Sequence, residues 1–405
     1  MTTTAQIFDR LNEYEDELIQ FMRDLIRIPG ISCEEKEVVE RIADEMTKCD
    51  FDEVKIDKMG NVIGKIGSGS TTIAMDAHID TVDTGSLDEW EWDPFEGKFE
   101  DGVIYGRGAT DQLAGMASMV YAGQVINDLD LRDDYTLYIV GSVQEEDCDG
   151  LPWQYILNET EMDPDCVVIT EPTNLNIYRG QRGRMEIGVR ASGVSCHGSA
   201  PERGENAIYR MAKIVAEIEK LNERLLVDDF LGKGTVTVSY IDCKTPSLCA
   251  VPDEAYIHLD RRLTAGETKE SAVEEVREAI EKAGVDTDKV EVEILNYDTP
   301  SYTGFRYPTE KYYPVWVLPE EHELCKKAVK TYRDVFDEEP LVDKWTFSTN
   351  GVATMGMFEV PTIGFGPANE VYAHTVNEQV AVDDLIKAAA WYARFPENYL
   401  NTTNS

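Results

Sequence analysis

The residue types in this chain that could do chemistry are imidazoles and carboxylates, and a series of them stands at the ends of apolar runs. In Asp76-Ala77-His78-Ile79-Asp80 the preceding Thr72-Ile73-Ala74-Met75 reads as a short buried strand. His78 therefore emerges at a strand's carboxyl end, where open α/β sheets hold their ligands. Asp80, two residues on, is within reach to hydrogen-bond a partner at that site if the chain stays extended. In Gly106-Arg107-Gly108-Ala109-Thr110-Asp111 the glycines permit a tight turn and deliver Asp111 to the start of an apolar helical run. A strand over 135–143 ends in Gln144-Glu145-Glu146, whose adjacent carboxylates repel unless cations or protons compensate them. A strand over 166–170 ends in Glu171-Pro172, and the apolar run at 362–367 leads to Ala373-His374-Thr375.

Mixed imidazole and carboxylate donors suit zinc or a similar divalent ion, and a catalytic site keeps a position open for water. His78, Asp111, Glu146, Glu171 and His374 amount to one bridging acid and two further ligands for each of two ions, which leaves Glu145 free as a general base. Taken singly, each acid would pass for a solvated surface carboxylate in a chain with 78 Asp and Glu. Five such groups, each following an apolar strand or opening an apolar helix, point instead to a shared site.

With these motifs in this order, and with Ser195-Cys196-His197-Gly198-Ser199-Ala200-Pro201 and Ala373-His374-Thr375-Val376-Asn377-Glu378 among them, the chain resembles a known family over nearly its whole length. That family is the co-catalytic zinc amidohydrolases and exopeptidases that include acetylornithine deacetylase, succinyl-diaminopimelate desuccinylase, aminoacylase and glutamate carboxypeptidase. More narrowly, through Glu145-Glu146-Asp147-Cys148-Asp149-Gly150 and Trp345-Thr346-Phe347-Ser348-Thr349-Asn350-Gly351, it is similar to a subgroup of hydrolases linked by name to selenium metabolism, a link that names no substrate. The resemblance implies His78, Asp111 and Glu171 around one ion and Asp111, Glu146 and His374 around the other. It makes Asp80 the orienter of His78 and Glu145 the acid/base. It further implies that His197 reaches the scissile carbonyl bound by the facing subunit of a homodimer, and that Arg262 holds a substrate carboxylate. Two divalent ions per chain are expected, zinc first, with cobalt and manganese as alternatives. Thr349-Asn350-Gly351 offers either further polar groups to the substrate, Asn350 foremost, or a helix N-cap. The chain departs from the family pattern at Gln112-Leu113-Ala114-Gly115, where a Lys-Gly-Gly run is common, at Val376, where proline is common, and at Cys249, where relatives place a lid asparagine.

The elements that must position these groups fall into two patterns. Strands alternate with helices over 1–182 and 298–405, as in a mostly parallel α/β sheet with helices on both faces. Between them, 183–297 reads strand (184–191), helix (206–225), strands (235–241 and 255–263), helix (269–283), strand (290–295). That β-α-β-β-α-β order is ferredoxin-like, an α+β unit inserted in the larger domain, with motifs on both flanks building one site. By family resemblance the insert is a lid and dimerisation domain.

Composition agrees. A chain of 405 residues exceeds a single core, and no stretch approaches the roughly 20 apolar residues of a membrane span. Residues 1–27 carry Leu11, Leu18, Phe21 and Leu25 at helical spacing among acids, so they read as one amphipathic helix rather than a signal peptide. A cytoplasmic location is then the default, and eight scattered cysteines without a Cys-x-x-Cys pair read as free thiols in a reducing compartment. Cys196 beside His197 reads as a small packed residue rather than a nucleophile. A net charge of −40 argues against nucleic acid and anionic membranes as partners.

The reaction expected is hydrolysis of an amide in a small carboxylate-bearing substrate, such as an N-acyl amino acid or short peptide. A hydrolase of cyclic amides or ureides, and a metal-stabilised scaffold without catalysis, are the alternatives.

Overall fold

Apolar runs too short for helices form the centre of the larger sheet, which has nine strands among residues 2–401, the part of the chain that this computed structural model describes. Tyr135–Ser142, Thr71–His78, Cys166–Ile169 and Thr362–Gly364 lie side by side in that order and run parallel. Every residue of Cys166–Ile169 is buried. A parallel strand covered on both faces needs such a continuous apolar run. Antiparallel strands flank this centre, Glu53–Ile56 and Val62–Gly67 on one side, Ile177–Gln181 and Trp316–Val317 on the other.

The helix Leu113–Asp128 is buried nearly all round and packs against both Thr71–His78 and the helix Val382–Leu400. A Cβ at Gly115 would lie 2.1 Å from Thr170 Oγ1. Glycine is therefore what lets the helix's first turn press against the strand end that carries Glu171.

Within the inserted region the strands are Gly183–Ser192, Thr235–Lys244, Glu254–Leu263 and Val290–Ile294, and the helices Ala207–Arg224 and Lys269–Lys282. Spatially the strands run in the order 235–244, 254–263, 183–192, 290–294, all antiparallel, which is the ferredoxin-like arrangement. Met185, Ile187 and Val189 pack with Met211, Ile214 and Val276 in a core separate from that of the larger sheet.

One expectation is corrected. The single helix over 1–27 is two, Thr4–Glu13 and Glu15–Arg27, separated by Tyr14, whose hydroxyl donates to Asp128 Oδ2 at 2.6 Å. The apolar register continues across the break, with Leu11, Leu18, Phe21 and Leu25 all buried, so periodicity alone does not reveal it. All eight cysteines are free. Among the described residues no helix is long and apolar enough to cross a membrane.

Candidate metal centre

Strand order fixes the lateral order of the chemical groups. Glu145 and Glu146 follow 135–142, His78 ends its neighbour, Glu171 follows the next strand, and His374 follows Thr362–Gly364. Gln144 and His374 both sit at φ 60°, a left-handed conformation costly for non-glycine residues and frequent at functional sites. Gln144 is held there by its backbone N–H to Glu35 Oε1 (3.1 Å) and its side-chain amide to the Tyr297 hydroxyl (3.0 Å). Gly366 admits the approach of the last strand, because a Cβ there would lie 2.2 Å from the carbonyl oxygens of both Thr170 and Glu171.

The groups divide around Asp111. Its Oδ1 lies 2.8 Å from His78 Nε2, which is also 3.6 Å from Glu171 Oε1. Its Oδ2 lies 3.1 Å from His374 Nε2, which is 3.0 Å from Glu146 Oε1. One carboxylate thus turns an oxygen to each of two imidazoles. Ligand atoms of His78, Glu145 and Glu171 lie within 4.8 Å of one another, as do those of His78, Asp111 and Glu146, so Glu145 stands as close to the cluster as the candidate ligands do.

The charges of this cluster are not balanced by the chain. Burial, reinforced by neighbouring acids, pushes the Glu145 and Glu171 carboxyls well above their usual range and raises that of Glu146. Burial alone would lower the His78 imidazole, yet Glu171, Asp111 and Glu145 drive it well upward, and bonds from Asp111 and Glu146 bring His374 to about 10. Glu145 Oε1 and Glu171 Oε2 are buried without a hydrogen-bond partner among the described residues. Uncompensated carboxylates with bare oxygens, mixed with imidazole nitrogen, are the donor set that divalent cations complete, so the residues present fit two such ions.

Supporting contacts refine the sequence reading. His78 Nδ1 donates to the backbone carbonyl of Asp80 at 2.9 Å, which in the neutral ring directs the Nε2 lone pair into the cavity. The Asp80 carboxylate is 3.6 Å from that nitrogen and instead accepts from the backbone N–H groups of Glu145 and Glu146 (3.1 Å each) and from Ser32 Oγ (2.6 Å). It fixes the acidic turn as much as the histidine. Glu378 escaped the sequence reading as a site residue. Its Oε1 accepts from the N–H groups of Thr110 (3.0 Å) and Asp111 (2.9 Å), while Oε2 pairs with buried Arg107 at 2.7 Å. Its signal was an acid just after His374, matched by an arginine inside the Gly106–Asp111 motif.

The cluster opens into a cavity of about 330 Å³, also lined by Asp149, Arg184, Arg262, Phe347 and Glu370. That volume suits a small molecule. Arg262 reaches the cavity while forking onto Asp260 at 2.8 and 3.0 Å. Asn350 is not brought to it as a free group. Its amide donates to Asp76 Oδ2 (2.8 Å) and Ser142 Oγ (3.0 Å), its oxygen accepts from Gly150 N–H (3.0 Å), and it makes no side-chain cap bond. It is a buried strut between the sheet and the 150–151 corner. His197 is also outside its own chain's cavity lining, exposed on a loop that bridges to Ala250 beside Cys249.

Residues 74–398 match the model of peptidase family M20/M25/M40. The chain is 52% identical over 398 residues to the uncharacterized protein YgeY of Escherichia coli (strain K12), covering 98% of each. It is 31% identical over 210 residues to a probable succinyl-diaminopimelate desuccinylase of Staphylococcus epidermidis (strain ATCC 35984), covering 51% of this chain and 52% of that protein. The fold is shared with aminopeptidase PepT from Bacillus cereus ATCC 10987, at a TM-score of 0.72 and 20% identity over 96% of this chain and 99% of that one.

Proposed function

The chain belongs to peptidase family M20/M25/M40 and is a metal-dependent amidohydrolase; from that premise we propose that it cleaves an amide bond in a small carboxylate-bearing substrate, such as an N-acyl amino acid or short peptide, at a two-ion site. The observation that carries this reading is the placing of the two Asp111 oxygens against two different imidazoles, at 2.8 and 3.1 Å. His78 and Glu171 would complete one ion's ligands, and Glu146 and His374 the other's, with zinc the first choice and cobalt or manganese the alternatives.

Bound there, the ions would supply Lewis acidity toward a water and toward the amide carbonyl. Glu145, buried and with a bare oxygen, takes the water's proton and returns it to the leaving nitrogen. Arg262 forks onto the substrate carboxylate.

The division of labour proposed is that 1–182 and 298–405 form the metal-binding domain and 183–297 the lid and homodimer contact. Two findings support it: the insert has its own core, and His197 is exposed outside its own chain's cavity. From the lid of the second chain, His197 donates to the oxyanion as it forms. The free cysteines fit a reducing compartment such as the cytoplasm.

A release assay on metal-loaded protein across N-acyl amino acids, dipeptides and cyclic ureides tests the proposal. Hydrolysis of linear amides, abolished by chelation, is the expected result. Turnover of cyclic ureides alone would replace the substrate class, and turnover that survives exhaustive chelation would overturn the mechanism.

A further inference from the structure

The cavity holds two carboxylates that neither the ion set nor the acid/base role uses. Asp149 and Glu370 both line it, and each has a buried oxygen, Oδ2 and Oε2 respectively, without a hydrogen-bond partner among the described residues. Asp149 is the more telling. Its side chain is 5% exposed, and among the described residues its one partner is Arg184, whose Nη1 stands 3.4 Å from Oδ1. Arg184 is more closely engaged elsewhere, at 2.7 Å from Glu186. The backbone on both sides of Asp149 is held in place. Cys148 N–H bonds the Gln144 and Glu145 carbonyls, the Tyr313 hydroxyl donates to Cys148 Sγ (3.3 Å), and Gly150 N–H is tied to Asn350. A nearly buried carboxylate that lines a cavity and has one buried oxygen without a partner calls for a donor that arrives with the ligand.

We propose that Asp149 is an ammonium-binding residue, so that the preferred substrate is zwitterionic, with a free primary amine in addition to the carboxylate held by Arg262. The inference rests on the amide-hydrolase reading and narrows its substrate class. Glu370 adds a second negative group to the same cavity. Arg184 and Arg262 provide the opposite charge. A cavity lined by both signs orients a substrate that carries both, whereas a plain N-acyl amino acid would leave the Asp149 oxygen bare.

Matched pairs that differ only in the amine, glycyl- against acetyl-amino acids and β-alanyl- against propionyl-amino acids, test this on the zinc-loaded enzyme. Wild type should favour the amine member by about 10²-fold in kcat/KM, as sites built to bond a polar substrate group do. In Asp149→Asn, which keeps the side chain's shape, that ratio should collapse toward one, mainly through KM of the amine member. A wild-type preference for the acetyl member overturns the proposal. So does an equal fall of both members in Asp149→Asn, which would make Asp149 only a support for Arg184. If no pair is hydrolysed, the amide-hydrolase reading fails, and calorimetry with glycinamide and N-acetylglycinamide still decides the subsite. Tighter binding of glycinamide that Asp149→Asn removes upholds it, and equal binding of the two overturns it.

Discussion

The two sheets handle burial in opposite ways. Around the strand ends of the larger sheet the unusual feature is buried charge, with His78, Asp80, Glu145 and Glu171 each no more than 4% exposed. In the inserted region it is exposed apolar surface: Tyr240 and Ile241 on a strand, Ile208 and Tyr209 on the helix Ala207–Arg224 and Val194 beyond the first strand stand open, and Leu248 is 99% exposed. The strands differ to match. Cys166–Ile169 is buried at every position, whereas Glu254–Leu263 alternates buried and half-buried residues. A strand covered on both faces can hold charges in fixed geometry only where it ends, so the ionisable groups gather at one edge of the larger sheet. A strand covered on one face leaves the other free for contact. The proposed division gives chemistry to the first region and contact to the second, and the following changes break or sharpen that assignment.

Glu145→Gln should have the largest effect, lowering kcat on the order of 10²- to 10⁴-fold while both ions are retained. Glu146→Gln, one residue along, should instead release metal on dialysis. Equal metal content in the two variants would dissolve the distinction between base and ligand.

His197→Ala should cost about 10²-fold or more in kcat although the residue lies in the other region. A tagged mixed dimer of His197→Ala with Glu145→Ala should recover activity at one site, the one on the His197→Ala chain. No recovery in a verified mixed dimer would mean that His197 acts within its own chain or only structurally.

Gly366→Ala should destabilise the larger domain by roughly 1–3 kcal/mol, since a new methyl must displace the Thr170 and Glu171 carbonyls. Because those carbonyls position Glu171, metal affinity should fall with the melting temperature. An unchanged melting temperature would show that the strand end gives way.

The smallest effect belongs to the insert. Burial would raise the Glu186 carboxyl, but bonds from Arg184, Lys311 and His258 outweigh it and hold it at about 2. Stability from this depressed group is present above its unfolded value of 4.5 and is lost as pH falls through about 2. The gap in melting temperature between wild type and Glu186→Gln should therefore narrow on acidification across that window. A gap independent of pH would mean that Glu186 acts through packing.

Sequence reading succeeded where local pattern and chemistry coincide. Apolar strands followed at once by His78, Glu146 or Glu171 revealed both element and group, and the turn signals of the insert bounded its strands to within a few residues. It failed where two distant segments complete each other. Asn350 is polar and next to a loop, yet its partners Asp76 and Ser142 lie more than two hundred residues away and draw it into the interior. The Arg107–Glu378 pair, the Asp149–Arg184 contact and the break at Tyr14 are likewise set by packing between elements, which no periodicity records.

Titrating the metal-free chain with zinc, and with cobalt as a spectroscopic probe, tests the shared Asp111 site most directly. Two ions per chain are expected, with Asp111→Ala weakening both because the two imidazoles share its carboxylate, and His374→Ala weakening one. A single ion in wild type, or two ions bound undiminished by Asp111→Ala, would contradict the two-ion site.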